Sequence, residues 1–599
     1  MRGKSLLYYG LSRLFVFPLN FPRAVFRPNE THRQQDIFGL EMQMSPELRK
    51  RLQDSKEYAF YKEVFCRIPE ELFSDLYHDS PATRPNVPVN RLVGALILHH
   101  LKNWTYEELL DHVSFDLKAR AALGLWTLGE EVFCRATLFN FLRRLRNHMV
   151  KTGQDKFQLV FDRLSEEALE RFGLKSTIQR CDSTQLGSNI RIFTRIELLV
   201  EVVLRMWRVL SEADQAKHKE RFAPYVGAKT SGQFLYGLKK SEFDATLEQL
   251  GEFYAWMMEA LKAEYGSTEI FRIVCRLFAE QFTRVEEKIT VRVKEEIRSD
   301  SLQSPDDLDA THRKKDGESF QGFVLHATET ADPENPLQLI TDVVVEPNNR
   351  DDSRILYDRL PAMKEKTPDL EELHTDATYG SQDNDLRQAE LGIAHVQTAI
   401  RGQLSPTPIH IEKDPDGRFR IHCFAGHMAW GEPTPTRFKA AFPASVCAGC
   451  PYAGSCPGQP MARGGRTHYF AEDDLLRQAR HRRLRELPEE RRTLRANVEA
   501  TMKEFRAPLR NGKLRTRGRP AASRYGFLRA IGVNFGRIYR HQRRLASPPP
   551  RKPAVSAPGF VLLRRFATQV CGLLPRFFRL RGHSSADIAT RMRSAPAFA

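Results

Sequence analysis

No stretch of the 599 residues is apolar over the roughly 20 positions that a membrane-spanning helix needs. The best run, Leu92–Leu98, stops at His99, which argues against an integral membrane protein. Cysteine is scarce, nine residues in all, and four of them crowd into Cys423, Cys447, Cys450 and Cys456. A long chain with a local Cys-x-x-Cys reads as metal-binding sooner than as disulfide-linked. Acid is scarce at one end: from Arg477 to Ala599 there are 30 Lys/Arg against 6 Asp/Glu, a balance of +24, whereas the preceding residues carry −7. Clustered Lys/Arg displace counterions from phosphates, so the basic fifth points to a polyanion partner; the alternative for the last fifty residues is a solvated basic tail. With 41% hydrophobic, 28% charged and 10% aromatic residues, a wholly disordered or fibrous chain is excluded. Arg2, Lys4 and Leu6–Leu19 faintly outline a signal peptide. Arg13 and Pro18 interrupt it and no small-residue cleavage site follows, so a cytoplasmic chain is expected.

Periodicity divides the chain. Residues 1–35 are an unassigned leader. Residues 36–150 form an all-helical N-terminal domain, with apolar positions three and four apart in Val89–Leu101, Tyr106–Phe115 and Ala136–Met149. Thr105 is placed to cap Tyr106-Glu107-Glu108. Such helices suit DNA binding and a plain scaffold equally. A β-favouring stretch, Ser176–Thr184, opens a second domain over 176–545. It is interrupted by a helical insert at 195–300 (Arg195–Arg298) and a Cys-rich insert at 401–470. Outside the inserts come strands at Gly322–Thr330 and Gln338–Val345, a helix at Asp352–Lys364, a strand ending at Asp376, a helix at Asp383–Leu391 and a strand at Ala394–Ala399. A long charged helix runs from near Pro488 to about Glu504. The expected class is α/β with a mixed sheet, in the element order of the RNase H-like fold. Residues 546–599 are a basic, low-complexity tail.

Three acids stand at telling places: Asp182 and Asp376 at strand ends, and Glu499 in the late helix. Carboxylates at strand ends converge in an open α/β sheet. Phosphodiester chemistry uses such convergence to hold two divalent ions roughly 3.5–4 Å apart, and Mg²⁺ (or Mn²⁺) takes one or two carboxylates with water and phosphate oxygens. On a continuous helix Arg492, Arg495, Glu499 and Arg506 share one face beside an apolar stripe of Leu494, Val498, Met502 and Phe505. The arginines are then candidate phosphate contacts; the alternative is an exposed face with an Arg–Glu pair.

In these motifs the chain resembles bacterial insertion-sequence transposases of the DDE class, in the branch with Tyr-x2-Arg-x3-Glu-x6-Lys. Here the run is Arg492-x2-Arg495-x3-Glu499-x6-Arg506, so Arg and Glu match, Arg replaces Tyr, and Arg replaces Lys. Asp182-Ser183-Thr184 and Asp376-Ala377-Thr378-Tyr379-Gly380 resemble the first and second acidic motifs. Lys314–Phe323, Arg517-Gly518 and Asn534 add to the likeness, as do Pro88-Val89-Asn90, Trp104-Thr105-Tyr106-Glu107-Glu108 and Leu117–Leu125. The resemblance implies catalysis and Mg²⁺ binding by Asp182, Asp376 and Glu499, with double-stranded DNA (transposon ends and target) as substrate. It also implies recognition of terminal inverted repeats by the helical domain, a homodimer or higher assembly on DNA, and a bacterial, nucleoid-associated location. Two rivals share the site or the surface: a catalytically inactive, zinc-containing DNA-binding descendant, and a nuclease without strand transfer.

Cys423-x23-Cys447-x2-Cys450-x5-Cys456 offers four thiolates for a closed structural Zn²⁺ site, with Gly449, Pro451 and Gly454 turning the chain and His422 and His427 as alternative ligands. An adventitious reduced cluster and a redox pair are the competing readings. Related transposases carry a similar cluster, which favours zinc. Cys181 is expected to pack under the sheet. Arg515–Pro520 contains Arg-Gly-Arg-Pro, the core of an AT-hook; a phosphate-contacting loop bearing Arg517 and Arg519 is the preferred reading.

Overall fold

In a computed structural model of the chain, residues 26–31, 39–77, 85–286, 288–315, 317–397 and 407–546 are described. The leader outside 26–31 and the tail beyond Ala546 therefore lie outside the described residues. Strand β1 (Ile178–Gly187) and, after the helical insert, a hairpin of β2 (Phe282–Val285) and β3 (Lys288–Val291) precede the remaining strands of the second domain. These are β4 (Thr311–Lys315), β5 (Glu318–Thr330), β6 (Ile340–Pro347), β7 (Glu372–Thr375) and β8 (Ala394–Gln397). All but the hairpin join one mixed sheet in the order β4-β5-β1-β7-β8, with β6 also on β5. β5 is antiparallel to β1, β4 and β6, while β1, β7 and β8 run parallel. The three-stranded meander followed by βα units is consistent with an RNase H-like fold.

β5 pairs with β4 as far as Gly322 and with β6 from Phe323. At the changeover Gly322 has φ +147°, and a Cβ there would lie 2.3 Å from the Leu186 carbonyl oxygen. Only glycine fits. Beyond it the strand is buried on both faces, and alternate residues serve different cores. Phe323, Leu325 and Ala327 join the helices Arg519–Ala546 and Val498–Arg506 and the N-terminal helices in one hydrophobic cluster. Cys181 packs on the opposite face with Leu356, Leu360, Met363 and Leu373, under the sheet as expected.

The N-terminal helices form where the pattern puts them, at Val89–Lys102, Tyr106–Phe115 and Arg135–Thr152. Thr105 and Glu108 make a reciprocal capping box. This block does not stand apart from the sheet: Phe60 meets Phe535 edge to face at 5.4 Å, and both belong to the cluster that includes Phe323 and Leu325.

Three expectations need correction. The helical insert ends at Gln281 and passes into the β2–β3 hairpin, where Lys288–Val291 alternates polar and apolar with period two. The charged helix from Pro488 is broken into Glu489–Arg492, a 3-10 turn Leu494–Asn497 and Val498–Arg506. Arg180 takes the Leu494 carbonyl at 2.8 Å and Thr493 bonds back to Glu490, diverting groups that a continuous helix would use. Finally, the helix Arg519–Ala546 begins inside Arg515–Pro520, read as loop, and continues through residues to which the pattern assigned no element. Gly526 hides it in the sequence, yet lets it approach Leu325, Val343 and Val345 to within 3.2–3.3 Å of a would-be Cβ.

The Cys-rich insert has two small sheets, one of three strands and one of four, around Ile411, Phe419, Ile421, Ala440, Phe442 and Phe470.

Candidate active site and cysteine cavity

β1 and β7 are in parallel register through Arg180↔His374. Asp182 and Asp376 each lie two residues beyond that last rung, so the register itself sets them side by side. Asp182 is mid-strand, at the fifth of ten residues of β1 and opposite Ala327 of β5, not at its end as the pattern suggested. It is nevertheless past the end of the parallel pairing, where open sheets present their functional groups. The Ser183 N–H donates to Asp182 Oδ1 at 2.8 Å. Asp376 caps the 3-10 turn Ala377–Tyr379: its Oδ1 accepts from the Thr378 N–H at 2.7 Å and from the Thr378 hydroxyl. In both aspartates one carboxylate oxygen is tied to the local backbone and Oδ2 is left for the site.

Both Oδ2 atoms face Arg495. Its Nη2 lies 2.9 Å from Asp182 Oδ2 and 3.8 Å from Asp376 Oδ2, and its Nη1 lies 3.3 Å from Glu499 Oε1. One guanidinium thus touches all three acids that the sequence singled out, and its Nε has no hydrogen-bond partner among the described residues. Burial pushes the Asp182 carboxyl above its ordinary value, with Arg495 pulling the other way and Asp376 adding to the rise. Glu499, in the first turn of Val498–Arg506, is the open member, its side chain 57% exposed.

The other arginines divide. Arg506 is exposed and no ion pair is described for it. The side chain of Arg492 lies outside the described residues. Arg517 donates to the Asn189 carbonyl at 2.7 Å and pairs with Asp306; Arg519 donates to the Val345 carbonyl and pairs with Glu346 at 2.7 Å. Both are half-exposed but engaged within the fold.

Sequence reasoning missed the groups that seat this segment. Arg491 pairs with Glu372 of β7 at 2.9 Å. Arg180 and Glu329 pair at 2.6 Å across β1 and β5. Glu329, the one acid in the β-favouring run Phe323–Thr330, was the available signal.

The cysteine reading meets a mixed result. Cys423, Cys447, Cys450 and Cys456 line one cavity of about 40 Å³ together with His427 and His468. Gly449, at φ +72°, makes the turn between Cys447 and Cys450. His468 Nε2 is 3.7 Å from Cys456 Sγ, whereas His422 faces Glu412 at 3.9 Å. Among the described residues, however, no group of three or more His, Cys, Asp or Glu is arranged to hold a metal ion. The thiols share a cavity without converging on a point, and the acids converge on a guanidinium.

The mixed sheet thus carries Asp182 and Asp376 side by side, and the helix Val498–Arg506 brings Glu499 to the same guanidinium. Residues 429–539, which include Arg495 and Glu499, match a family model described as a transposase DDE domain. Residues 47–144 match one described as a transposase domain (DUF772). The two matches support an insertion-sequence DDE transposase. No curated protein and no solved structure gives a match. No described helix is long and apolar enough to cross a membrane.

Proposed function

We propose that the chain binds the terminal inverted repeats of an insertion sequence and catalyses metal-dependent strand cleavage followed by 3′-hydroxyl strand transfer. The observation that carries the reading is the convergence of Asp182, Asp376 and Glu499 on one cationic group. Carboxylates that already gather round a guanidinium are a donor set that suits a hard divalent cation. Asp182, Asp376 and Glu499 would hold Mg²⁺ or Mn²⁺, which supplies positive charge for activating the attacking oxygen and stabilising the leaving one. In cleavage, water forms a bond to phosphorus as the P–O3′ bond breaks, leaving a free 3′-hydroxyl. In transfer that hydroxyl attacks a target phosphodiester and a target 3′-oxygen leaves.

The chain's own work is orientation. Ser183 and Thr378 fix the rotamers of the two aspartates through the oxygen each holds. Arg495, drawn off Asp182, reaches a phosphate in the same place, and the exposed Arg506 adds a second contact. Arg492, Arg517 and Arg519 complete the proposed phosphate surface, although Arg517 and Arg519 would first have to leave their acidic partners. The helical N-terminal block reads the inverted repeats. Pairing of two transposon ends calls for a dimer or higher assembly. A cytoplasmic, nucleoid-associated location follows from the same reading.

Cys423, Cys447, Cys450 and Cys456 would hold a structural Zn²⁺. The donor set suits that ion in kind, four soft thiols lining one cavity with His427 and His468, and a small apolar core is one that such a staple would stabilise. Metal analysis of purified protein that finds no zinc, with all four thiols freely titratable, removes this assignment.

Cleavage of end-bearing DNA that Asp376→Ala abolishes supports the enzyme; unchanged cleavage overturns the site. Joining of pre-nicked ends separates a transposase from a nuclease. The second reading, an inactive DNA-binding descendant, draws on Arg492 and Arg506 where the motif has Tyr and Lys; it expects DNA binding with no cleavage at all.

A further inference from the structure

Glu329 is 1% exposed and ionic on both oxygens. Oε1 accepts from Arg180 Nε at 2.6 Å; Oε2 accepts from Arg537 Nη1 at 2.6 Å and from the Thr501 hydroxyl at 2.6 Å. Arg537 also donates to Thr501 Oγ1 at 2.6 Å and to Glu504 at 3.1 Å. Arg180 continues to the Leu494 carbonyl at 2.8 Å. The β5–β6 register shifts between Thr328 and Glu329, an irregularity of the kind that re-aims a side chain.

A buried ion cluster is by itself weak evidence for anything beyond folding. What decides here is where the tethers attach. Arg180 is two residues before Asp182 on the same face of β1. Leu494 adjoins Arg495. Thr501 is two residues after Glu499. Glu499 itself is largely exposed and its described polar contact is with Arg495, so the place of its carboxylate is set by its backbone. Val498, Met502 and Phe505 bury the helix's apolar face, but apolar contacts allow sliding. Glu504 and Phe505 are bonded to Arg529, Arg537, Arg540 and Tyr525 of the helix Arg519–Ala546, whereas the Thr501 hydroxyl makes the directional bond that ties this helix to the sheet beside Glu499.

We infer that Glu329, acting through Thr501, is a positioning residue for the third acid, setting the distance of Glu499 from Asp182 and Asp376. The inference rests on the proposed metal-holding role of those acids. Burial alone would raise the Glu329 carboxyl; Arg537 and Arg180 more than offset it and hold it below its ordinary value, so the hub stays anionic.

The test is Mn²⁺ binding to the full-length protein, read by electron paramagnetic resonance, with Asp182→Asn as the reference that marks binding at the acids. Thr501→Val, which keeps shape and removes the hydroxyl, is expected to weaken the Asp182-dependent binding about tenfold, as loss of a group that orients metal ligands does. Thr501→Ser should restore it to near wild type, with far-UV circular dichroism alike in all three proteins. If Thr501→Val binds Mn²⁺ as the wild type does, the positioning role is overturned while the acid site stands. If wild-type binding is indifferent to Asp182→Asn, the metal reading fails and the positioning role fails with it.

Discussion

Arg495 Nη2 lies 2.9 Å from Asp182 Oδ2, a charge-assisted bond between residues 313 apart in the chain. The partners are 18% and 13% exposed, so water weakens the attraction only in part. A divalent cation entering among the carboxylates must displace this guanidinium from Asp182.

Arg495→Gln is therefore expected to tighten Mn²⁺ binding at the acids while weakening DNA binding. A charge-assisted hydrogen bond contributes about 1.5–3 kcal/mol, and roughly 1.4 kcal/mol is a factor of ten. A gain of about tenfold in Mn²⁺ affinity, measured by calorimetric titration, is the expected outcome; a weaker affinity would show that Arg495 assembles the site instead of guarding it.

Asp182→Asn should abolish cleavage and leave the protein no less stable. A carboxyl whose value is raised in the fold binds its proton more readily there than in the unfolded chain. Its ionised form thus costs stability at neutral pH, and that cost fades as pH falls toward the raised value. Thermal unfolding at pH 7.5 is expected to shift upward by a small amount. A fall of several degrees would mean that the Arg495 bond outweighs the desolvation of Asp182.

Acid should destabilise the fold before most carboxylates titrate. Burial pushes His99 and His326 down to about 4, and lowers His100 and His395 as well. The unfolded chain takes up these protons near its ordinary value of about 6.5 and the folded chain does not, so stability is lost progressively from there toward pH 4. Glu329 adds a later loss, beginning below its unfolded value of about 4.3, because its folded value is lower still. Scanning calorimetry from pH 8 to 4 should show the transition falling already between pH 6.5 and 5. A flat profile over that interval would contradict the burial of these imidazoles as neutral groups.

Phe60→Ala and Phe535→Ala should each cost about 3–5 kcal/mol, the usual penalty for emptying a buried aromatic site. Because the rings touch, the double variant should lose less than the two single losses combined. The N-terminal helices and the sheet should also unfold in one transition. Two well-separated transitions in chemical denaturation would show that the shared cluster does not couple them.

Much of the frame was legible locally. The capping box at Thr105 needs only residues three apart, and β5, β6 and β7 were marked by short apolar runs between turn residues. Asp182 and Asp376 stood out because each closes or interrupts such a run. The segment after Pro488 misled the reading because its break depends on Arg180, which lies on another strand and removes a carbonyl from the helix. The helix Arg519–Ala546 was masked by glycines such as Gly526, whose value appears only against Val345 and Leu325.

By itself the sequence determined the order of β1, β5, β6, β7 and β8 and the helices between the last of them, the Thr105 cap, the spacing of the thiols and the concentration of positive charge at one end, since each depends on neighbours within a few positions. Tertiary structure decided that Asp182 and Asp376 stand abreast and that Arg495 reaches both. It also decided that Glu329 seats the helix bearing Glu499. These relations follow from the β1–β7 register and the pairing of β1 with β5, which bring together strands separated in the chain by the helical insert and more.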